Sequence, residues 1–267
     1  MLTGVIHLRA MPGDVAYTSG GFEGVLEAAR RDFDALVEGG VDAIIIENFG
    51  SAPFDKGDRH NPIPAHQVAL IARLASELVA QWPEGKIGIN CLRNDAHAAL
   101  GIAAASGASF VRVNVHTGTY VTDQGVIEGE TARTLRYRKS LLDTEIDIWA
   151  DVLVKHASPL APLDPVTATK DTILRGKADA VIVTGSATGA AVDLDLLKSV
   201  SGAASGYAPV YLGSGVTLEL LDKVLPYASG AIVGTWLKED GQLFNPVSAS
   251  RVKQLVERSK GGWGHAL

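Results

Sequence analysis

Eight short apolar runs recur along the chain, each closing on a glycine or a polar cluster: residues 4–8, 43–48, 86–92, 110–116, 149–156, 180–185, 209–213 and 231–234. Between them, apolar residues repeat three and four positions apart. The first intervening segment carries Val25, Leu26, Ala29, Phe33, Leu36 and Val37 on one helical face and stops at Gly39-Gly40. The second repeats the pattern with Val68, Ile71, Ala72, Ala75, Leu78 and Val79 and stops before Pro83. Asp95 is placed to cap an alanine-rich helix that ends at Gly107. Further helices are predicted over residues 131–143, 165–175, 194–200, 217–225 and 246–258, with Pro165 and Pro246 in first turns. Strands alternating with helices imply βαβ units and a parallel sheet, and eight such units in a chain of this length imply closure. The predicted fold is one α/β domain, a single (β/α)8 TIM barrel over residues 1–258, followed by a loose tail at 259–267 that is a native extension or a cloning remnant.

In a barrel, side chains alternate between the lumen and the helix layer, so the parity that carries polar residues faces inward. Val111, Val113 and Val115 share one parity, and Arg112, Asn114 and His116 share the other. The same reasoning turns His7, Glu47, Asn90 and Lys155 inward and sends Cys91 to the helix layer. Chemistry in this fold gathers at the carboxyl ends of the strands, where six polar residues then form one rim. Each buried charge there needs a partner or a ligand. Arg112 and Asp151 sit one layer deeper and read as an ion pair bolting neighbouring strands. Two long loops lie on the same face. One spans residues 49–64 with Pro53, Pro62 and Pro64; the other spans 117–130, where Thr122-Asp123-Gln124-Gly125 reads as a small hairpin.

Two glycine turns suggest what the rim holds. Gly213-Ser214-Gly215 follows the seventh strand, and Gly234-Thr235 follows the eighth, leading into Trp236-Leu237-Lys238, long enough for one extra helical turn. Barrels that bind phosphorylated ligands use these two loops, because glycine lets backbone N–H groups approach oxygens and a helix start favours an anion. Gly185, opening the Gly185-Ser186-Ala187-Thr188-Gly189 run, extends the cradle or hinges a lid. The barrel is therefore expected to be of the phosphate-binding type.

Bulk properties narrow the partners. The formal net charge of −6 with no basic block argues against nucleic acid or an anionic membrane surface. A single cysteine, Cys91, forbids an internal disulfide and suits a reducing compartment. No charged-then-apolar leader opens the chain and no long uncharged apolar stretch interrupts it, so a soluble cytoplasmic protein is expected. No cofactor motif is present. His7, His116, His156, Glu47 and Asp123 are able in principle to ligate a divalent metal, but no close-spaced ligand motif joins them, and no metal site is assigned.

The strand ends also carry a family resemblance. Gly4-Val5-Ile6-His7-Leu8, Asp42 to Gly50 with Glu47, Gly88-Ile89-Asn90 with Leu92-Arg93-Asn94-Asp95, Arg112-Val113-Asn114-Val115, Thr122 to Gly129, Lys155-His156, Asp179 to Gly185, Gly213-Ser214-Gly215-Val216-Thr217 and Ile232-Val233-Gly234-Thr235 resemble the BtpA/SgcQ family over nearly the whole chain. The resemblance implies a phosphate-binding type of barrel. Cyanobacterial members are named for photosystem I biogenesis, and SgcQ-like members accompany sugar-uptake genes. Cys91 departs from the aliphatic residue expected at its place in the family.

Together these readings predict an enzyme acting on a small phosphorylated metabolite, a sugar phosphate or nucleotide-like molecule. Gly185, Gly213, Ser214, Gly215, Gly234 and Thr235 would hold the phosphate. Glu47 or His116 would move protons, Lys155 would stabilise negative charge, and Asp123 would reach in from its loop. His7, Asn90, Asn114, His156 and Thr184 would orient the substrate. Isomerisation, aldol cleavage and hydrolysis stay open, as does self-association of the barrel. The alternatives are a non-catalytic assembly factor of the photosystem I biogenesis type and a glycine-lined nucleotide sensor.

Overall fold

The computed structural model describes residues 1–141, 145–185 and 193–264. Its strands are β1 (Leu2–His7), β2 (Ala43–Glu47), β3 (Lys86–Asn90), β4 (Phe110–Val113), β5 (Thr119–Thr122), β6 (Gly125–Glu128), β7 (Asp147–Val152), β8 (Ala157–Pro159), β9 (Ala180–Val183), β10 (Val210–Leu212) and β11 (Gly230–Val233). Eight of them close a parallel barrel in the order β1-β11-β10-β9-β7-β4-β3-β2. Its helices are α1 (Gly21–Gly39), α2 (Ala65–Gln81), α3 (Ala96–Ser106), α4 (Thr131–Ser140), α5 (Pro165–Lys170), α6 (Leu194–Ala204), α7 (Leu218–Val224) and α8 (Ala249–Ser259). The chain is a single (β/α)8 barrel. No helix among the described residues is long and apolar enough to cross a membrane.

Local chemistry sets the helix ends. Gly40 takes a left-handed conformation (φ 87°) after α1, and the Asp95 carboxylate accepts the Ala98 N–H at the start of α3. Pro165 stands in the first turn of α5, which runs on into a π turn at Asp171–Arg175. Pro246 lies outside its expected helix. Ser248 stands at the N-cap position of α8, and the Pro246 carbonyl instead accepts the Glu239 N–H. Near the end of the described residues the Gly264 N–H bonds to the Leu225 carbonyl, and Trp263 packs on the core.

Two apolar layers follow from strand pleat. Ile44, Ile46, Ile87, Ile89 and Cys91 face the helices, while Val5, Ile45, Ile182 and Ile232 fill the lumen. The lumen floor is a stack of Phe110, Trp149 and Tyr211, with ring centroids 3.8 and 4.5 Å apart. Gly88 makes room for it, since a Cβ there would stand 2.2 Å from the Phe110 ring. With the amino end sealed by aromatics, any cavity must open at the carboxyl end.

The 117–130 loop does fold as a hairpin, β5 against β6, and β8 adds a third antiparallel strand. Tyr120 and Ile127 pack beneath it against Val115 and Val154. The third strand exists because β7 ends at Val152, four residues short of the predicted run to His156. Leu153 and His156 adopt positive φ (52° and 55°) and turn the chain out of the barrel.

Candidate active site

Strand register puts the rim together. His7 pairs with Glu47 across β1 and β2, and Glu47 with Asn90 across β2 and β3. The His7 Nε2 lies 3.6 Å from Glu47 Oε2. Behind them runs a buried polar chain. Asn90 Nδ2 donates to the Arg112 carbonyl at 2.9 Å and to Asn114 Oδ1 at 3.2 Å, and Asn114 Nδ2 donates to Asp151 Oδ2 at 2.6 Å. Arg112 grips the same carboxylate through Nε and Nη2 at 3.1 to 3.3 Å. The ion pair expected between β4 and β7 is present.

A cavity of about 190 Å³ opens above this layer. His7, Glu47, Arg112 and Lys155 line one part of its wall; Gly213, Ser214, Gly215, Gly234 and Thr235 line another, with Phe49 and Trp236 flanking. The glycines are needed for space. A Cβ on Gly213 would stand 2.5 Å from Ile182 and 3.2 Å from Arg112 Nη2; one on Gly234 would stand 2.4 Å from the His7 ring. The Gly213 N–H bonds to the Val183 carbonyl, so that residue contributes room rather than a donor. The N–H groups of Ser214 and Gly215 meet no acceptor among the described residues, and neither does the buried Ser214 Oγ meet a partner. The extra turn after β11 is only Thr235–Leu237, a single 3-10 turn, too short to carry a helix dipole. Any anion held here would rest on bare N–H groups and on the cations below.

Burial and charge tune the ionisable groups. Burial, helped by the charges of Lys238, Lys155 and Arg112, pushes His7 down to about 3, which keeps its ring neutral. Burial raises the Glu47 carboxyl, against the pull of Arg112 and Lys155, and lowers the Lys155 ammonium, with Arg112 adding to the effect. Burial also opposes the Arg112 charge, yet Asp151 and Glu47 outweigh it and its pKa rises. A carboxyl inclined to keep a proton and an amine inclined to lose one therefore face the same cavity. Opposed shifts of this kind mark candidates for proton exchange.

Several expected site residues lie elsewhere. His116 is not at the cavity: its Nε2 bonds to the Gly176 carbonyl at 2.7 Å, because the strand ends at Val113 and the pleat that would have turned the ring inward ends with it. Asp123 is exposed on the hairpin, where its Oδ2 accepts from Gln124. His156, Thr184 and Gly185 line a neighbouring pocket that also touches Lys155. Thr184 Oγ1 accepts the Lys155 backbone N–H at 3.1 Å and so steadies that residue. Asn90 and Asn114 sit behind the cavity and act through Arg112 and Asp151. The Gly185 run continues beyond Gly185 into residues 186–189, which lie outside the described residues. Consequently His7, Glu47, His116, His156 and Asp123 do not converge as a metal set, and no group of three such side chains gathers among the described residues. Sequence reasoning missed Arg93, just past β3, and treated Lys238 only as part of the extra turn. Lys238 is buried and holds Asp32 of α1 at 2.5 Å.

The family model described as BtpA family matches residues 1–261. The chain belongs to that family. It is 42% identical to the photosystem I biogenesis protein BtpA of Synechocystis sp., over 95% of this chain and 86% of that one. An uncharacterized protein of Pyrococcus furiosus is 46% identical over 96% of this chain and 93% of its own. The putative sgc region protein SgcQ of Escherichia coli K12 is 31% identical over 94% and 91%. Among solved structures, thiamine phosphate pyrophosphorylase from Pyrococcus furiosus aligns at TM-score 0.59 with 13% identity, over 98% of this chain and 97% of that one. N-(5'-phosphoribosyl)anthranilate isomerase from the same organism aligns at 0.55 with 12% identity, over 97% and 98%. At such identities these two place the BtpA-family chain in the barrel fold and no further.

Proposed function

We propose that this BtpA-family chain is an enzyme acting on a small phosphorylated metabolite held at the carboxyl end of the barrel. One observation carries the reading: a single cavity joins the glycine turns after β10 and β11 to Glu47, His7, Arg112 and Lys155. The phosphate rests on the N–H groups of Ser214 and Gly215 and on Ser214 Oγ, with Arg112 beneath. Glu47 gives and takes the proton, and the neutral His7 ring orients it. Lys155 stabilises negative charge as it develops. This division of labour serves isomerisation, aldol cleavage and hydrolysis alike. The names of the two solved relatives, both acting on phosphorylated small molecules, agree with it.

A non-catalytic assembly role is the second reading, favoured by the printed name of the Synechocystis relative. A thermal-shift screen with sugar phosphates, phosphate esters and nucleotides separates the two. A ligand at 100 times its Kd adds about 2.7 kcal/mol to stability. Stabilisation by a phosphorylated compound is expected, and Ser214→Asp, which sets a carboxylate in the cradle, abolishes it. If no phosphorylated compound raises Tm, the enzyme reading fails and the assembly reading takes its place.

A further inference from the structure

Two cations at the carboxyl end of the barrel, Arg93 and Lys155, make no ion-pair contact. Arg93 is 6% exposed and donates through Nη2 to the Lys155 carbonyl at 2.9 Å. Among the described residues, no Asp or Glu oxygen lies within 4.0 Å of its guanidinium or of Lys155 Nζ. Lys155 is half-buried, and the two other buried cations among the described residues are both paired, Arg112 with Asp151 and Lys238 with Asp32. Residues 186–192 read Ser-Ala-Thr-Gly-Ala-Ala-Val and contain no acid.

The carboxylates near them act only from beyond contact distance. Asp151 is held by Arg112 and Asn114, and it, Asp123 and Glu47 pull on Arg93, as Glu47 and Asp151 do on Lys155, less than burial pushes. Burial accordingly lowers the pKa of both Arg93 and Lys155, and their neighbours do not reverse it as Asp151 does for Arg112. A chain of net charge −6 thus leaves two cations at this place without a contact partner. An uncompensated buried cation is costly, and a bound anion removes the cost.

Position completes the argument. In the closed barrel β3 stands four strands from β10 in either direction, so Arg93 follows the strand opposite the Gly213–Gly215 turn, and its Nη2 reaches the Lys155 carbonyl beyond β7. Lys155 touches both the glycine-lined cavity and the pocket beside it. We propose that Arg93 and Lys155 form a second anion subsite, and that the metabolite carries two anionic groups, a phosphate on the glycine turns and a carboxylate or second phosphate on this pair. The proposal rests on the phosphometabolite reading above and adds the second charge. The Arg93 fork matches the two oxygens of either group, and Lys155 supplies a point charge beside it.

Calorimetry on the full chain tests this with glycerol 3-phosphate as the one-anion probe. Against it stand 2-phosphoglycolate, 3-phosphoglycerate and 4-phosphoerythronate, which vary the span to a carboxylate, and propane-1,3-diyl bisphosphate, which replaces the carboxylate by phosphate. At least one two-anion probe is expected to bind tenfold or more tighter than glycerol 3-phosphate. Arg93→Gln should erase that gain while leaving glycerol 3-phosphate affinity within about threefold. Arg93→Lys, which keeps the charge, should retain part of the gain and covers the case in which the glutamine variant does not fold. If glycerol 3-phosphate binds and no two-anion probe binds tighter, or the gain survives both variants, the second subsite is wrong and the phosphate cradle stands. If none of the probes binds, both readings fall.

Discussion

Lys238 Nζ and Asp32 Oδ2 meet at 2.5 Å in the interior, although 206 positions separate them in the chain. Asp32 Oδ1 also accepts the Val247 N–H at 2.9 Å, so one carboxylate ties the loop after β11 to α1. The Thr235–Leu237 turn, one wall of the cavity, is anchored from behind by this contact.

Asp32→Ala leaves a buried ammonium without a partner, and about 3–5 kcal/mol of stability should be lost. The double variant Asp32→Ala, Lys238→Met should recover much of that loss, because the lone charge is what costs. Urea denaturation of the three proteins measures it. Equal losses in the single and double variants would mean that the contact to Val247, and not the charge pair, holds the loop.

His7 makes stability depend on acid. It titrates near 6.5 when unfolded and near 3 in the fold, so between those values the unfolded chain takes up a proton that the folded chain refuses. Stability should therefore fall as pH falls through that window, and His7→Asn should flatten the slope. Glu47 works the other way: its raised carboxyl holds a proton in the fold, so its contribution weakens as pH rises above the ordinary carboxylate range. Unfolding free energies from pH 3 to 7 should show a flatter acid limb in His7→Asn and a steeper one in Glu47→Gln.

Gly234→Ala should cost about 1–3 kcal/mol, the usual effect of overpacking. The loss comes from the His7 ring, which the new methyl would meet at 2.4 Å. A lower Tm accompanied by a smaller shift with a phosphate ester is the expected result. An unchanged Tm would mean that the ring moves aside freely.

Cys91 should be unreactive until the barrel opens. It is 2% exposed on the helix side of β3, and burial raises its thiol well above the ordinary range. A thiol reagent should label one site per chain in denaturant and almost none in buffer. Rapid labelling of the native protein would contradict the assigned strand phase.

The inward phase of Asn90, Arg112 and Asp151 was readable from alternation because those residues lie within regular pleat. His116 was misread because it lies beyond the last paired residue of β4, where alternation no longer governs direction. Lys155 reached the cavity although the parity argument for it fails, since Leu153 at φ 52° breaks the alternation before it. Arg93 stands just after β3, where parity would have turned it away from the lumen, and no motif marked it.

Hydrophobic periodicity and turn residues by themselves determined the number of βα units, their order and the two glycine turns, because these depend on interactions among near neighbours. Closure of the sheet alone decided which groups meet across it: Gly213 above Arg112, Lys238 against Asp32, and Arg93 against the Lys155 carbonyl. Such contacts join residues remote in sequence, and their energies come from burial and charge in a shared interior that no local window of the chain contains.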